Sequence, residues 1–216
     1  MTLRTCKYLL FVLALTVFEV PAATLSISVR DRDGASVKDV VVIARPASGT
    51  ATATTRPRPA VMDQINRQFA PYVLAVHTGA SVLFENGDTV AHQVYSFSPA
   101  RQFELGLYRG RPRSPIVFDR PGIVVLGCNI HDNMIGYVYV TDAPYFGTTD
   151  ARGRIEFADL AAGDFTVELW SPRQSGNEAP LRRAITLTDA ASVDFQFRDP
   201  LSPEPAPVRD PRLRDY

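Results

Sequence analysis

Side chains that can bind a soft metal ion recur at every third position of one short segment, as Cys128, His131 and Met134. Apolar runs at residues 123–126 and 137–140 flank this segment, and short apolar runs of that kind predict strands. One such side chain near another is common by chance, whereas this spacing between two strands is specific. The pattern therefore predicts a loop of metal ligands that joins two strands.

Copper is the metal that this set of ligands favours. A trigonal set of two imidazoles and one thiolate with a weak axial thioether suits both oxidation states of copper. His92, at the end of the upstream segment 86–92, is predicted to supply the second imidazole. A lone Cys128 would otherwise be interpreted as a buried, inert thiol. We therefore predict one mononuclear copper site made by His92, Cys128, His131 and Met134.

The two segments resemble the ligand loops of the cupredoxin family, and the loop length matches its amicyanin-type members. The resemblance implies a Greek-key β-sandwich, with Asn86 tying the two ligand loops together and the ring of His131 lying near the surface. Many cupredoxins carry Asn directly after the first ligand His, and Gln93 departs from that pattern. A few red-copper relatives use a carboxylate ligand, so Glu104 stays open as an alternative to Met134.

Strand and turn phrases on both sides of the copper-binding region indicate a second β-sandwich. Residues 25–44 hold an alternating strand, an Asp-x-x-Gly turn and a Val-rich strand. Residues 149–155 read Thr-Asp-x-x-Gly-x-Ile, and residues 160–165 read Leu-x-x-Gly-x-Phe. These phrases resemble carboxypeptidase-regulatory-like, transthyretin-like sandwiches. The combination is similar to bacterial proteins often labelled methylamine utilization proteins.

We therefore expect an all-β chain in which a cupredoxin sandwich is inserted in, or follows, a smaller regulatory-like sandwich. A surface loop of the smaller sandwich can accommodate such an insertion. The predicted segments are a signal peptide at 1–23, the first strands of the smaller sandwich at 24–56, the cupredoxin domain at 57–143, the remainder of the smaller sandwich at 144–198, and a disordered tail at 199–216.

The N-terminal segment has the three parts of a secretory signal peptide: Arg4 and Lys7, an apolar run at 8–15, and small residues at 20–23. It is too short and wrongly flanked for a membrane span, and an uncleaved anchor is the alternative. We expect a periplasmic protein without stable membrane insertion. Because Cys6 leaves with the signal, Cys128 remains as the lone cysteine in an oxidising compartment.

Charge and histidine content limit the possible functions. The 23 basic and 23 acidic side chains balance without a polybasic tract, so nucleic acid is not an expected partner. The chain has 3 histidines, too few for multicopper oxidases or copper nitrite reductases, and His77 is interpreted as a strand-end residue.

The expected function is therefore transfer of single electrons between redox partners, such as a cytochrome or a dehydrogenase, without enzyme activity. Two alternatives remain open. One is copper storage or delivery, and the other is a non-redox adhesion or carbohydrate-binding module.

Overall fold

The computed structural model describes residues 22–48, 57–112, 114–175 and 180–204. These residues contain sixteen strands and no helix, which confirms the predicted all-β class. No helix in this part of the chain is long and apolar enough to cross a membrane. The strands are β1 (Ala22–Arg30), β2 (Val41–Pro46), β3 (Ala60–Ile65), β4 (Gln68–Ala70), β5 (Val73–His77), β6 (Ala80–Phe84), β7 (His92–Ser98), β8 (Arg101–Tyr108), β9 (Ile116–Phe118), β10 (Gly122–Gly127), β11 (Ile135–Thr141), β12 (Tyr145–Thr148), β13 (Arg154–Ala161), β14 (Gly163–Trp170), β15 (Leu181–Leu187) and β16 (Ala190–Gln196).

The strands form four sheets that pack as two sandwiches. Strands β3 to β11 make the inner sandwich, with sheets in the order β5-β11-β10-β7-β8 and β4-β3-β6-β9. Strands β1, β2 and β12 to β16 make the outer sandwich, with sheets in the order β13-β1-β16 and β12-β2-β14-β15. Strands from both ends of the chain therefore share the outer sandwich. The boundaries of the predicted domains stay a prediction.

Each sandwich has its own apolar core. Alternate residues of most strands point inward, as the period of a pleated strand requires. Large side chains of the inner core are Met62, Phe84, Phe118, Leu126 and Met134. Those of the outer core include Leu25, Ile27, Leu160, Leu169 and Leu187.

Aromatic side chains fill the interface between the two sandwiches. The rings of Tyr72 and Tyr137 from the inner sandwich lie 5.4 Å apart, and Tyr137 lies 5.7 Å from Trp170 of β14. Val41 and Ile43 of β2 are buried in the same cluster. The remaining buried residues of β2, Val42 and Ala44, belong to the outer core. Strand β2 is thus buried on both faces, and the two sandwiches share a continuous apolar contact.

Residues 94–122, which lie between the two predicted ligand segments, contain the β7–β8 hairpin and the short strand β9. The predicted disordered tail begins with ordered residues, because Arg173 Nε donates to Ser202 O at 2.6 Å and Lys38 pairs with Glu204 at 3.1 Å. Residues 1–21, 49–56 and 205–216 lie outside the described residues.

Candidate metal centre

The loop between β10 and β11 makes two successive turns. The backbone N–H of His131 donates to Cys128 O at 3.4 Å, and the N–H of Met134 donates to His131 O at 2.9 Å. Each turn advances the chain by three residues, so Cys128, His131 and Met134 recur on one side. Asn129, Ile130, Asp132 and Asn133 are exposed between them. The spacing noted in the sequence thus corresponds to the period of consecutive tight turns.

His92 comes from the neighbouring strand of the same sheet. It begins β7, which pairs with β10 through Tyr95 and Gly127. The register of β7 against β8 shifts between His92 and Val94, which is a bulge at the first residues of the strand. Bulges of this kind re-aim side chains next to functional sites. The ring of His92 is fully buried, whereas His131 is half-buried.

The donor atoms form a triangle that fits one metal ion. His92 Nδ1 lies 3.1 Å from His131 Nδ1, and Cys128 Sγ lies 4.0 Å from the first and 3.8 Å from the second. Among the described residues, this is the group of His, Cys, Asp and Glu side chains close enough to share an ion.

Typical bond lengths test the fit. Bonds of about 2.0 Å to each nitrogen and about 2.3 Å to the sulfur would let one ion reach all three donor atoms. The triangle therefore has the right size for one ion held by a thiolate and two imidazoles, a donor set that suits copper.

A carboxylate fixes the orientation of the His92 ring. Asp88 Oδ2 lies 2.7 Å from His92 Nε2. The carboxylate of Asp88 also accepts the backbone N–H of Asn66 at 2.7 Å and of Arg67 at 2.8 Å. Because an ionised carboxylate only accepts, Nε2 carries the proton and Nδ1 presents its lone pair to the triangle.

The charge states of these groups favour metal binding. Partial burial alone would raise the pKa of Asp88, but the hydrogen bonds from Arg67, His92 and Asn66 outweigh it and hold the pKa below its ordinary value. Burial, and then the neighbouring His92, lower the pKa of His131. At neutral pH Asp88 is therefore charged and His131 is neutral, which is the form that binds metal.

Gln93 and Asn129 tie the two ligand loops together. Asn129 Nδ2 donates to Gln93 Oε1 at 2.9 Å, and Gln93 Nε2 donates to Glu104 Oε1 at 2.5 Å. The departure at position 93 therefore preserves a tie between the segments that carry His92 and Cys128. Glu104 orients the amide of Gln93 and does not join the group of donor atoms.

The expected role of Asn86 is wrong in one respect. Its Nδ2 donates to Val90 O at 3.0 Å and to Tyr108 O at 2.8 Å, and its Oδ1 accepts the N–H of Asp88 at 3.0 Å. These bonds shape the loop before His92 and fasten it to the end of β8. The tie to the Cys128 loop comes from Gln93 instead.

Met134 is the fourth residue that the sequence predicts as a metal ligand. Its side chain is buried and packs in the inner core together with Cys128. Both residues also line one groove at the surface of the inner sandwich. The third histidine, His77, ends β5 and places Nδ1 2.9 Å from Thr78 O.

Sequence reasoning missed Asp88 and Asn129. The sequence signal for Asp88 is its position four residues before His92. Whether the two side chains meet depends on the shape of the loop between them, which the sequence does not give. Asn129 follows Cys128 directly, but its partner lies on another strand. The contact of Asn129 depends on the sheet and has no local signature.

No protein-family model matches the chain, and no curated protein matches it. Among solved structures, the chain is similar to a copper-containing nitrite reductase from Thermus scotoductus SA-01, with 25% identity, a TM-score of 0.37, and coverage of 45% of this chain and 25% of that chain. It is similar to a purple cupredoxin from Nitrosopumilus maritimus, with 22% identity, a TM-score of 0.35, and coverage of 38% and 99%. It is also similar to a reduced amicyanin mutant, with 21% identity, a TM-score of 0.35, and coverage of 46% of this chain and 99% of that chain. The matched region thus spans a quarter of the nitrite reductase, which is an enzyme. It spans nearly all of the purple cupredoxin and of the amicyanin mutant.

Proposed function

We propose that this protein is a periplasmic blue-copper protein that carries single electrons. The observation that carries the proposal is the triangle of His92 Nδ1, His131 Nδ1 and Cys128 Sγ, with sides of 3.1, 3.8 and 4.0 Å. A thiolate and two imidazoles at this spacing suit copper in a trigonal site. We assign Met134 as the weak axial ligand, because it follows His131 by one turn and shares the core with Cys128.

A bound copper ion would supply the chemistry by accepting and releasing one electron. The chain's own residues would keep its surroundings fixed. Asp88 holds the ring of His92, and the bond between Asn129 and Gln93 holds the Cys128 loop against β7. Cys128 and Met134 are closely packed in the core, at 4% and 1% exposure. Ligands held in this way move little when the charge of the ion changes, which favours electron transfer.

The rest of the proposal rests on the sequence. The N-terminal segment supports export to the periplasm, and a cytochrome or a dehydrogenase is the proposed redox partner. We further propose that the outer sandwich is a regulatory-like domain that holds the inner one. Catalysis is not part of the proposed role.

Spectroscopy of the mature protein tests the copper assignment. After one equivalent of Cu(II), we expect an intense absorption band near roughly 600 nm and a narrow parallel copper hyperfine splitting in the electron paramagnetic resonance spectrum. Cys128→Ala should abolish the band, because the thiolate is the source of the colour. A weak, ordinary Cu(II) spectrum in the wild type would refute the assignment and favour copper storage or delivery.

A further inference from the structure

The outer face of the five-stranded sheet is covered over only part of its width. On this face, β11 presents Tyr137 and Tyr139 to Trp170 of the outer sandwich. The neighbouring strands continue the apolar surface without a cover in the described structure. We call this uncovered part of the surface the open face. It consists of the side chains of Tyr95 and Phe97 of β7, Ile123 and Val125 of β10, and Ile135 of β11.

The open face is unusually apolar for a surface. Phe97 is 77% exposed, and Val125 and Ile135 are 43% and 41% exposed. They lie on adjacent strands, because Val125 pairs with Tyr137 and Gly127 pairs with both Ile135 and Tyr95. Exposed apolar residues that cluster in this way mark interaction sites, whereas single ones do not.

A groove in the open face leads to the metal-binding thiol. Tyr95, Phe97, Val125 and Ile135 line it, together with Cys128 and Met134. The ring of Tyr95 lies against Gly127, where an added Cβ would be 2.6 Å from the ring. Phe97 packs on Tyr95 with ring centroids 5.2 Å apart. A partner bound here would contact Phe97 and Tyr95, and Tyr95 lies against Gly127, the residue before Cys128.

The charges around the groove indicate what kind of surface it fits. Asp132 is the only charged residue of its described lining, and Glu104 lies opposite Tyr95 in the β7–β8 pair. No basic side chain lines it in the part of the chain that the structure describes. A complementary surface is therefore apolar at its centre and basic at its rim.

We propose that the open face is a docking surface for a redox protein with an apolar contact area and a basic rim, which exchanges electrons with the metal from the Cys128 side. The inference rests on the proposed copper function. It differs from exchange at the half-buried His131, where Ile130 is the exposed apolar neighbour at 53%. The open face also continues the apolar surface that already packs against Trp170.

Gold electrodes coated with alkanethiols provide a defined probe of this surface. Three coatings are compared: methyl alone, methyl mixed with ammonium, and methyl mixed with carboxylate. Adsorption of the metal-free protein is measured by quartz crystal microbalance, and the electron-transfer rate of the copper-loaded protein by voltammetry. The variants are Phe97→Thr, Ile130→Thr and, as a matched control, Leu107→Thr, which replaces a 63% exposed residue of β8 outside the groove.

We expect the wild type to adsorb most tightly to the methyl and ammonium coating. Phe97→Thr should weaken adsorption of the metal-free protein about tenfold on that coating, because the aromatic ring of this 77% exposed residue is lost from the contact. It should slow electron transfer by a similar factor while the visible spectrum of the copper-loaded variant stays unchanged. Leu107→Thr and Ile130→Thr should match the wild type in both measurements.

Two results would overturn the proposal. In the first, Ile130→Thr weakens adsorption and slows electron transfer while Phe97→Thr matches the control, which would place docking at the His131 end. In the second, light scattering shows a wild-type dimer that Phe97→Thr dissociates, which would assign the open face to a second copy. A wild type without the blue spectrum would refute the copper function itself, and it is recognised separately because adsorption is measured without metal.

Discussion

Replacing Asp88 by Asn removes the charge that faces His92 and keeps the shape of the side chain. In the native protein Oδ1 accepts the N–H of Asn66, and Oδ2 accepts the N–H of Arg67 and faces His92 Nε2 at 2.7 Å. The amide of Asn has one oxygen and one NH₂ group, so at least one of these three donors would meet another donor. Asp88→Asn therefore perturbs the hydrogen bonds and the charge without creating a cavity.

Two effects of this substitution have different magnitudes. Loss of charge-assisted hydrogen bonds and one unpaired donor should lower the free energy of unfolding of the metal-free protein by about 1.5–3 kcal/mol. Loss of the carboxylate behind a ligand imidazole should weaken Cu(II) binding about 10–100-fold. If Cu(I) binding is unchanged, a tenfold loss corresponds to about 59 mV, so the potential should rise by roughly 60–120 mV.

The stabilising contribution of the Asp88 carboxylate depends on pH. Because the folded protein holds the pKa of Asp88 below its ordinary value of 3.8, the carboxylate stabilises the fold fully above that pH. This contribution is lost as the pH falls below about 3.8 towards the lower pKa of the folded state. The wild type should therefore lose its stability advantage over Asp88→Asn in that acid range.

Asp63→Asn is the matched control for these measurements. Asp63 of β3 accepts through Oδ1 the N–H of Gly87, which lies in the same loop as Asp88, at 2.9 Å, and no hydrogen bond of the described residues joins Asp63 to His92. Chemical denaturation measures stability, competition titration measures Cu(II) affinity, and voltammetry measures the potential. If both variants lose stability but neither changes Cu(II) affinity or potential, Asp88 only anchors the loop and the reasoning about the ligand is refuted.

Three further substitutions test the surroundings of the site. Gln93→Leu removes the tie to Asn129 and should lower the unfolding free energy of the metal-free protein by about 1 kcal/mol in denaturant titration, and an unchanged stability would mean that the tie is weak. Gly127→Ala would place a Cβ 2.6 Å from the Tyr95 ring and should cost about 1–3 kcal/mol by the same assay, with Tyr95→Ala as a second change that restores stability. Met134→Leu should keep the blue colour and raise the potential measured by voltammetry, and loss of colour would contradict a weak axial role.

The ligand loop was predictable because its signal is local. Cys128, His131 and Met134 are three residues apart, and consecutive tight turns have the same period, so spacing and geometry agree. Most strands were predictable for a similar reason, because alternating or apolar runs such as residues 25–29 and 123–126 carry the period of a strand.

The contacts around the ligands were not predictable from spacing. Strands β7 and β8 have weak alternation, since Phe97 and Leu107 are apolar and exposed. Gln93 meets Asn129 only because β7 pairs with β10, and that pairing spans more than 30 positions. Asp88 meets His92 because the turn at Asn66 and Arg67 supplies the backbone N–H groups that hold its carboxylate. Each contact depends on segments that are distant in the sequence and are brought together by the fold.

The outer sandwich also contributes to the position of the ligands, through β11. This strand begins directly after Met134, and the N–H of Tyr137 donates to Tyr72 O at 3.0 Å. The ring of Tyr137 then packs between Tyr72 and Trp170, at centroid distances of 5.4 and 5.7 Å. A fixed Tyr137 restricts the two residues that separate it from Met134, because a strand paired on both sides has little freedom to shift. The second sandwich is therefore a rigid support for the strand that carries the proposed axial ligand.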